Sequence, residues 1–441
     1  MSIFARLLAC FLPLSFVALS SAHAQEFERE LGNWKSNERL AAFYSSQELP
    51  DNLGVSDLLR GLIRAKSYVG LPRQEEQVVQ VLAGYFKNHG IEFHIDEVRS
   101  GRPNLIAALK TGKAGRRLLL CGHTDTVAPN AITTMDPFGA EERAGQIYGR
   151  GAVDMKGPIA AMAAALVALK KQSTLKKGEI IFAAVIDEEM ESLGAEALIK
   201  SGFTADGAIV GEATNNQIAI GHKGLEWLEI EFLGKAAHGG TPEKGINAIS
   251  AAARFARIVE EELAPKFQTR RHHLLGAPTI NIGTIHGGDQ PSTVAARCTI
   301  QLARRWVPTE TIEQVFGELE EILGRVRSSM PGLRTELRRV PGGMATMVHG
   351  PLEIAASHPL VIAAQKARAE TYKTEGVLAV TAFPAWTDAA LLSREAKIPC
   401  IVFGPGDLSL AHSAEEYIAV AEVEKAVKLY MLTARHFLAG E

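Results

Sequence analysis

The chain has 441 residues, 46% of them hydrophobic and 22% charged, which is enough for two domains, each with its own apolar interior. A formal charge of −3 carries no bias toward nucleic acid or an anionic membrane, so a polyanionic partner is not what this composition selects. Beyond the first 24 residues the cysteines are Cys121, Cys298 and Cys400, an odd number without paired short spacing, which points away from a disulfide framework or a cysteine zinc site.

At the N-terminus Arg6 precedes an apolar run, Leu7 to Leu19, that leads into small residues ending Ala22-His23-Ala24. This pattern is that of a secretory signal cut before Gln25, because the run is shorter than the roughly 20 residues a spanning helix needs. The expectation is an exported protein, periplasmic or secreted, with no stable membrane span after cleavage. Residues 25–55 read as a polar N-terminal extension. From there helices and strands alternate: a helix near 73–89, strands at 92–98, 103–109 and 117–121, an alanine-rich helix at 157–171, a fully apolar strand at 179–186, and strands at 207–210 and 217–220. Such alternation predicts an α/β domain with a largely parallel sheet.

From His222 to about Arg338 the texture changes. Strand 224–233, helix 245–263, strands 278–285 and 294–303, helix 309–329 and strand 332–338 follow in βαββαβ order, which predicts a compact antiparallel sheet with two helices on one face. Pro341-Gly342-Gly343 closes this stretch, and helix–strand alternation then resumes, so the smaller domain reads as an insertion.

Five acidic or histidine clusters fall where strands should end, the positions at which open α/β sheets build their sites. In Leu120-Cys121-Gly122-His123-Thr124-Asp125, an extended chain carries His123 and Asp125 on the same side, so one can bind a metal while the other orients it. Asp154 lies in the glycine-rich turn Tyr148 to Gly157, where it could cap the following helix or place a carboxylate between two cations. Asp187-Glu188-Glu189 follows the apolar strand directly, and three adjacent carboxylates repel one another unless a cation relieves them. Glu212 and His412 also follow apolar strands. Each has a bland reading as a turn residue; together they form a mixed nitrogen and oxygen set suited to zinc.

The order of these motifs resembles the co-catalytic zinc hydrolases that include acetylornithine deacetylase, succinyl-diaminopimelate desuccinylase, glutamate carboxypeptidase and aminoacylase, over residues 55 to 435. The resemblance implies a zinc-exopeptidase-like α/β catalytic domain in two parts, 56–221 and 341–441, with a mostly parallel central sheet, and an inserted ferredoxin-like α+β lid and dimerisation domain at 222–340. It implies two zinc ions, with cobalt or manganese as substitutes. His123 and Glu189 or Glu212 would be terminal ligands of one or other ion, Asp154 the bridge and His412 the remaining ligand. Asp125 would orient His123, and Glu188 would be the general base. In the lid, His238 would reach a partner subunit's site in a homodimer and stabilise the oxyanion, while Asn281 and Arg305 would bind the substrate's carboxylate. The chain departs from the family pattern at Ser292, Ala295, Ala303 and Trp386, which leaves adjacent Arg304 as an alternative to Arg305.

The expected activity is hydrolysis of an amide bond beside a free carboxylate, as a glutamate-carboxypeptidase-like enzyme on short peptides or as a deacylase of N-acyl amino acids. A metal-dependent binding protein without catalysis would lack the base or a ligand, and all are present. A nucleophile hydrolase is not supported, because no G-x-S-x-G occurs.

Overall fold

The computed structural model describes residues 54–342, 347–374 and 379–440; the signal at 1–24 and nearly all of the 25–55 extension lie outside the described residues. The described chain begins with α1 (Val55–Arg64), whose Leu58, Leu59, Leu62 and Ile63 make one apolar stripe and are buried. It continues through α2 (Glu76–Asn88), the antiparallel pair β1 (Glu92–Arg99) and β2 (Arg102–Lys110), β3 (Arg117–His123), and the short β4 (Glu142–Arg143) and β5 (Gln146–Tyr148). Next come α3 (Gly157–Gln172), β6 (Glu179–Val185), α4 (Leu193–Lys200), β7 (Gly207–Val210) and β8 (Ala219–His222). The segment 152–172 is long and apolar enough to cross a membrane, but 89% of its most apolar window is buried, which marks a core helix of this fold.

A second sheet follows, built from β9 (Gly224–Leu233), α5 (Ala248–Ile258), β10 (Thr279–Gly287), β11 (Arg297–Trp306), α6 (Ile312–Ser329) and β12 (Arg334–Arg339). Its four strands lie in the order β10-β11-β9-β12, and all three pairings are antiparallel. Leu228, Ile230 and Phe232 alternate with outward residues along β9 and meet Ala251, Phe255, Val315, Leu319 and Ile322 in one core, so both helices cover the same face. The caps set the helix starts. Asn247 accepts from the backbone of Ile249 and Ser250, and Thr311 forms a capping box with Gln314, which moves both starts inward from the expected 245 and 309.

The chain then returns to the first sheet through β13 (Leu352–Glu353), α7 (Pro359–Tyr372), β14 (Thr381–Phe383), α8 (Ala389–Arg394) and β15 (Cys400–Val402), and ends with β16 (Tyr417–Ala419) and α9 (Val420–Ala439). The large sheet runs β1-β2-β6-β3-β7-β15-β8-β13, with β14 beside β8. Its centre, β6-β3-β7-β15, is wholly parallel, and antiparallel strands flank it on both sides. One face packs against α1, α2, α3, α7 and α9, the other against α4 and α8. Cys121, Cys298 and Cys400 are free and buried.

One strand lies two residues later than the expected 217–220. Asn215 and Asn216 adopt left-handed backbone (φ 53° and 55°), and Gln217 N–H closes the turn onto Thr214 O, so pairing starts only at Ala219 and reaches His222.

Candidate metal centre

His123 ends β3, and its ring is held from behind: Nδ1 lies 3.0 Å from the Asp125 carbonyl and 3.4 Å from the Asp125 carboxylate. The same Asp125 carboxylate accepts the backbone N–H groups of Glu188 (3.1 Å) and Glu189 (3.0 Å), so one side chain ties the loop after β3 to the loop after β6. With Nδ1 engaged, His123 Nε2 points forward to Asp154 Oδ1 at 3.0 Å and to Glu212 Oε1 at 3.7 Å.

Asp154 sits in the irregular turn between β5 and α3 and does not cap the helix; the residue at the cap position is Lys156. Its turn is fixed by Glu416, whose Oε1 accepts the N–H groups of Val153 and Asp154 while Oε2 pairs with Arg150 at 2.5 Å in the interior. His412, in the loop before β16, lies with Nε2 3.1 Å from Asp154 Oδ2 and 3.2 Å from Glu189 Oε1. The two imidazoles therefore face different oxygens of one carboxylate. Glu212 accompanies His123 on one side, and Glu189 accompanies His412 on the other.

The electrostatics of this cluster call for a cation. Burial pushes Glu212 up to about 8, with the charge of Asp154 adding to the effect, and burial followed by Asp154 raises Glu189. Burial also raises Glu188 well above the carboxylate range; His123 opposes the shift, and Glu212, Asp388 and Glu189 reinforce it. Burial works against ionised Asp154 too, but hydrogen bonds from His123 and His412 outweigh it and hold that carboxyl well below its ordinary value. His412 is raised to about 10 by Asp154 and Glu189. Two imidazoles thus do the work that metal ions would do better, since two buried carboxyl groups, Asp154 and Glu212, and two half-buried ones, Glu188 and Glu189, crowd a space with no other cation in contact among the described residues. His123, Asp154 and Glu189 each offer a ligand atom within 4.8 Å of the others. The donor set fits zinc-class ions.

The residues expected from the second sheet lie elsewhere. His238 is exposed in the loop after β9, where its Nδ1 accepts the N–H of Gly240, and Asn281 is exposed on β10. Arg305, near the end of β11, is partly buried, its Nη1 has no protein partner, and burial lowers its pKa. Arg304 is not the alternative that its position in sequence allowed: it is buried, paired with Glu310 at 2.6 Å and stacked 4.0 Å from the Phe267 ring, so it serves the core of the second sheet. Trp386 is buried, donating Nε1–H to Gly350 O with its ring against His349 and His222.

Two contributors were not assigned from sequence. The Asp388 carboxyl is buried, raised to about 7 by that burial, and acts on both Glu188 and Glu212. Glu416 is fixed by Arg150, 266 residues away, which no local pattern could link to it.

Residues 119–436 match Peptidase family M20/M25/M40. The chain is 30% identical over 379 residues to an acetylornithine deacetylase of Proteus mirabilis (84% of this chain, 92% of that protein) and 29% over 394 residues to one of Photorhabdus laumondii (86% and 96%). Its fold matches the aminopeptidase PepT of Bacillus cereus with a TM-score of 0.71 at 23% identity, covering 87% of this chain and 98% of that one. The chain belongs to Peptidase family M20/M25/M40, and is a metal-dependent hydrolase of amide bonds.

Proposed function

We propose that this protein is an exported, two-zinc amidohydrolase that cleaves an N-acyl group, or a neighbouring residue, from an amino acid bearing a free carboxylate. The observation that carries this reading is the placement of His123 and His412 on different oxygens of Asp154, each with its own glutamate. His123 with Glu212 and His412 with Glu189 would hold one ion each, and Asp154 would bridge them. Two zinc-class ions bound there would polarise the scissile carbonyl and make the attacking water acidic. Glu188, half-buried beside Glu189, would take a proton from the attacking water and deliver it to the leaving amine. Asp125 keeps His123 in the tautomer with Nε2 directed at the cluster. Arg305, with an unpartnered buried guanidinium nitrogen, is the group that would receive the substrate's carboxylate, with Asn281 on the paired strand two positions along from Thr279, which faces Arg305. His238 would serve the neighbouring subunit of a homodimer.

The acetylornithine deacetylases among its relatives favour the deacylase over the carboxypeptidase expected first. The test is turnover by zinc-loaded protein on a panel of N-acyl amino acids, dipeptides and glutamate-terminated substrates. Hydrolysis of the acyl amino acids at more than about tenfold the kcat/KM of the peptides supports the deacylase; the reverse preference selects the carboxypeptidase, and loss of activity on blocking the substrate carboxylate supports the role of Arg305.

A further inference from the structure

A second group of metal-binding side chains stands apart from the reaction. His272 and His273 begin a tight hairpin, closed by His272 N–H to Gly276 O (2.9 Å) and Gly276 N–H to His272 O (3.0 Å), that leads into β10 of the second sheet. Glu353 belongs to β13, on the edge of the large sheet, where it pairs with Gly221 of β8. The hairpin rests on that edge, because Leu275 packs over Gly221 and Lys223 Nζ donates to Ala277 O. The place is the junction itself: only Lys223 separates β8 of one sheet from β9 of the other.

Here His272 Nε2 lies 3.0 Å from Glu353 Oε1, the two imidazole centroids are 4.4 Å apart, and all three residues offer ligand atoms within 4.8 Å of one another. Ligands around a tetrahedral zinc with bonds of about 2.0–2.1 Å stand roughly 3.4 Å apart. His273 and Glu353 are exposed and free of the packing that holds His272, which is buried with its Nδ1 accepting only long contacts from Leu274 and Leu275 N–H (3.3 and 3.2 Å). A plain His272–Glu353 ion pair would account for two of the three residues and leave the second imidazole unexplained.

We propose that His272, His273 and Glu353 form a zinc-class ion site, separate from the catalytic cluster, that clamps the hairpin of the second sheet to the edge of the first. Two imidazoles and one carboxylate leave room for a water or an external ligand on the open side. An ion on Nε2 takes the place of the proton that faces Glu353, and that proton moves to Nδ1, where it displaces the two long contacts from Leu274 and Leu275 N–H. Because the ligands come from both sheets, occupancy restrains their relative movement at the junction.

The test titrates zinc into chelator-stripped, full-length mature protein and into His273→Ala and Glu353→Gln, both exposed positions that leave the buried hairpin intact. Each variant should take up one zinc fewer per chain, or bind that equivalent at least about tenfold more weakly. The same difference should persist on a His123→Ala background, which separates this site from the catalytic one: failure of the catalytic assignment would show as unchanged metal content in His123→Ala alone. Zinc should also slow hydrogen exchange across 219–224 and 272–277 in the parent and not in the two variants. Equal stoichiometry and affinity in parent, His273→Ala and Glu353→Gln overturns the site, and binding without slower exchange overturns the clamp.

Discussion

His123 and Glu188 are both governed by Asp125, which holds the imidazole with one contact and the backbone of the Glu188-Glu189 pair with two others. On the proposed mechanism the adjacent glutamates have different tasks. Glu188→Gln should keep its metal and its fold while turnover falls by about 10²–10⁴-fold, since an amide cannot take the proton. Glu189→Gln should lose metal as well, because its carboxylate meets His412. Metal analysis beside steady-state kinetics checks both, and a Glu188→Gln enzyme near parental kcat would remove the base assignment. The raised carboxyl groups also set a pH dependence. With Glu212 near 8 and Asp388 near 7, the folded, metal-free protein holds protons that the unfolded chain releases in the ordinary carboxylate range. Stability of stripped protein should therefore fall as pH rises from about 6.5 to 8. Buried His222 and His349, lowered to about 4, add stability as pH rises mainly below this window, and Lys156, lowered to about 7 by burial, adds stability above 7; His412, raised to about 10 by Asp154 and Glu189, loses stability there and works with the carboxyl groups. Thermal melts in chelator at the two pH values check the sign; a higher Tm at the upper pH would contradict it.

Elements position these side chains through loops that touch only in the folded chain. The turn carrying Asp154 has little regular structure of its own and depends on Glu416, delivered just before β16, and on Arg150. Both partners of that ion pair are 3% exposed or less, so Arg150→Ala leaves a carboxylate buried without its cation and should cost about 3–5 kcal/mol. It should also weaken metal binding by displacing Asp154. Urea unfolding with metal analysis tests this, and a variant within 1 kcal/mol of the parent, as an order of magnitude, would mean that the turn stands without the pair. A comparable buried tie lies behind the Glu188 loop, where Arg102 on β2 bonds Glu75 at 2.5 and 2.7 Å and Asp187 at 2.6 Å. Asp187 has left-handed backbone (φ 73°), and its carbonyl receives the N–H groups of Met190, Glu191 and Ser192.

At the scale of the whole molecule, two sheets are joined at β8–β9 and again between β12 and β13, and His238 stands on an exposed loop of the second sheet. Its ring meets its own loop backbone at Gly240. If it serves a partner subunit, His238→Ala and Glu188→Gln, each inactive alone, should recover up to about a quarter of parental activity when mixed under subunit exchange, because a heterodimer keeps one site with both residues intact. Demonstrated heterodimers without recovered activity would return His238 to its own chain.

The sequence by itself determined the elements whose periodicity is long. The βαββαβ run of the second sheet, strands 207–210 and 224–233, and the helix at 157–171 are legible because each buries one face, or both, over many residues, and local pattern records that directly. The ligand candidates were legible for a similar reason: carboxylates and histidines placed straight after apolar strands must lie together at one edge of a parallel sheet. Tertiary structure alone decided which glutamate accompanies which histidine, that Arg304 belongs to a core while Arg305 keeps a buried guanidinium nitrogen without a partner, and that Asp388 and Glu416 join the centre. It also brought His272 and His273 to Glu353, 81 residues beyond His272. These pairings depend on distance in space between segments far apart in the chain, and short-range periodicity carries no record of that distance.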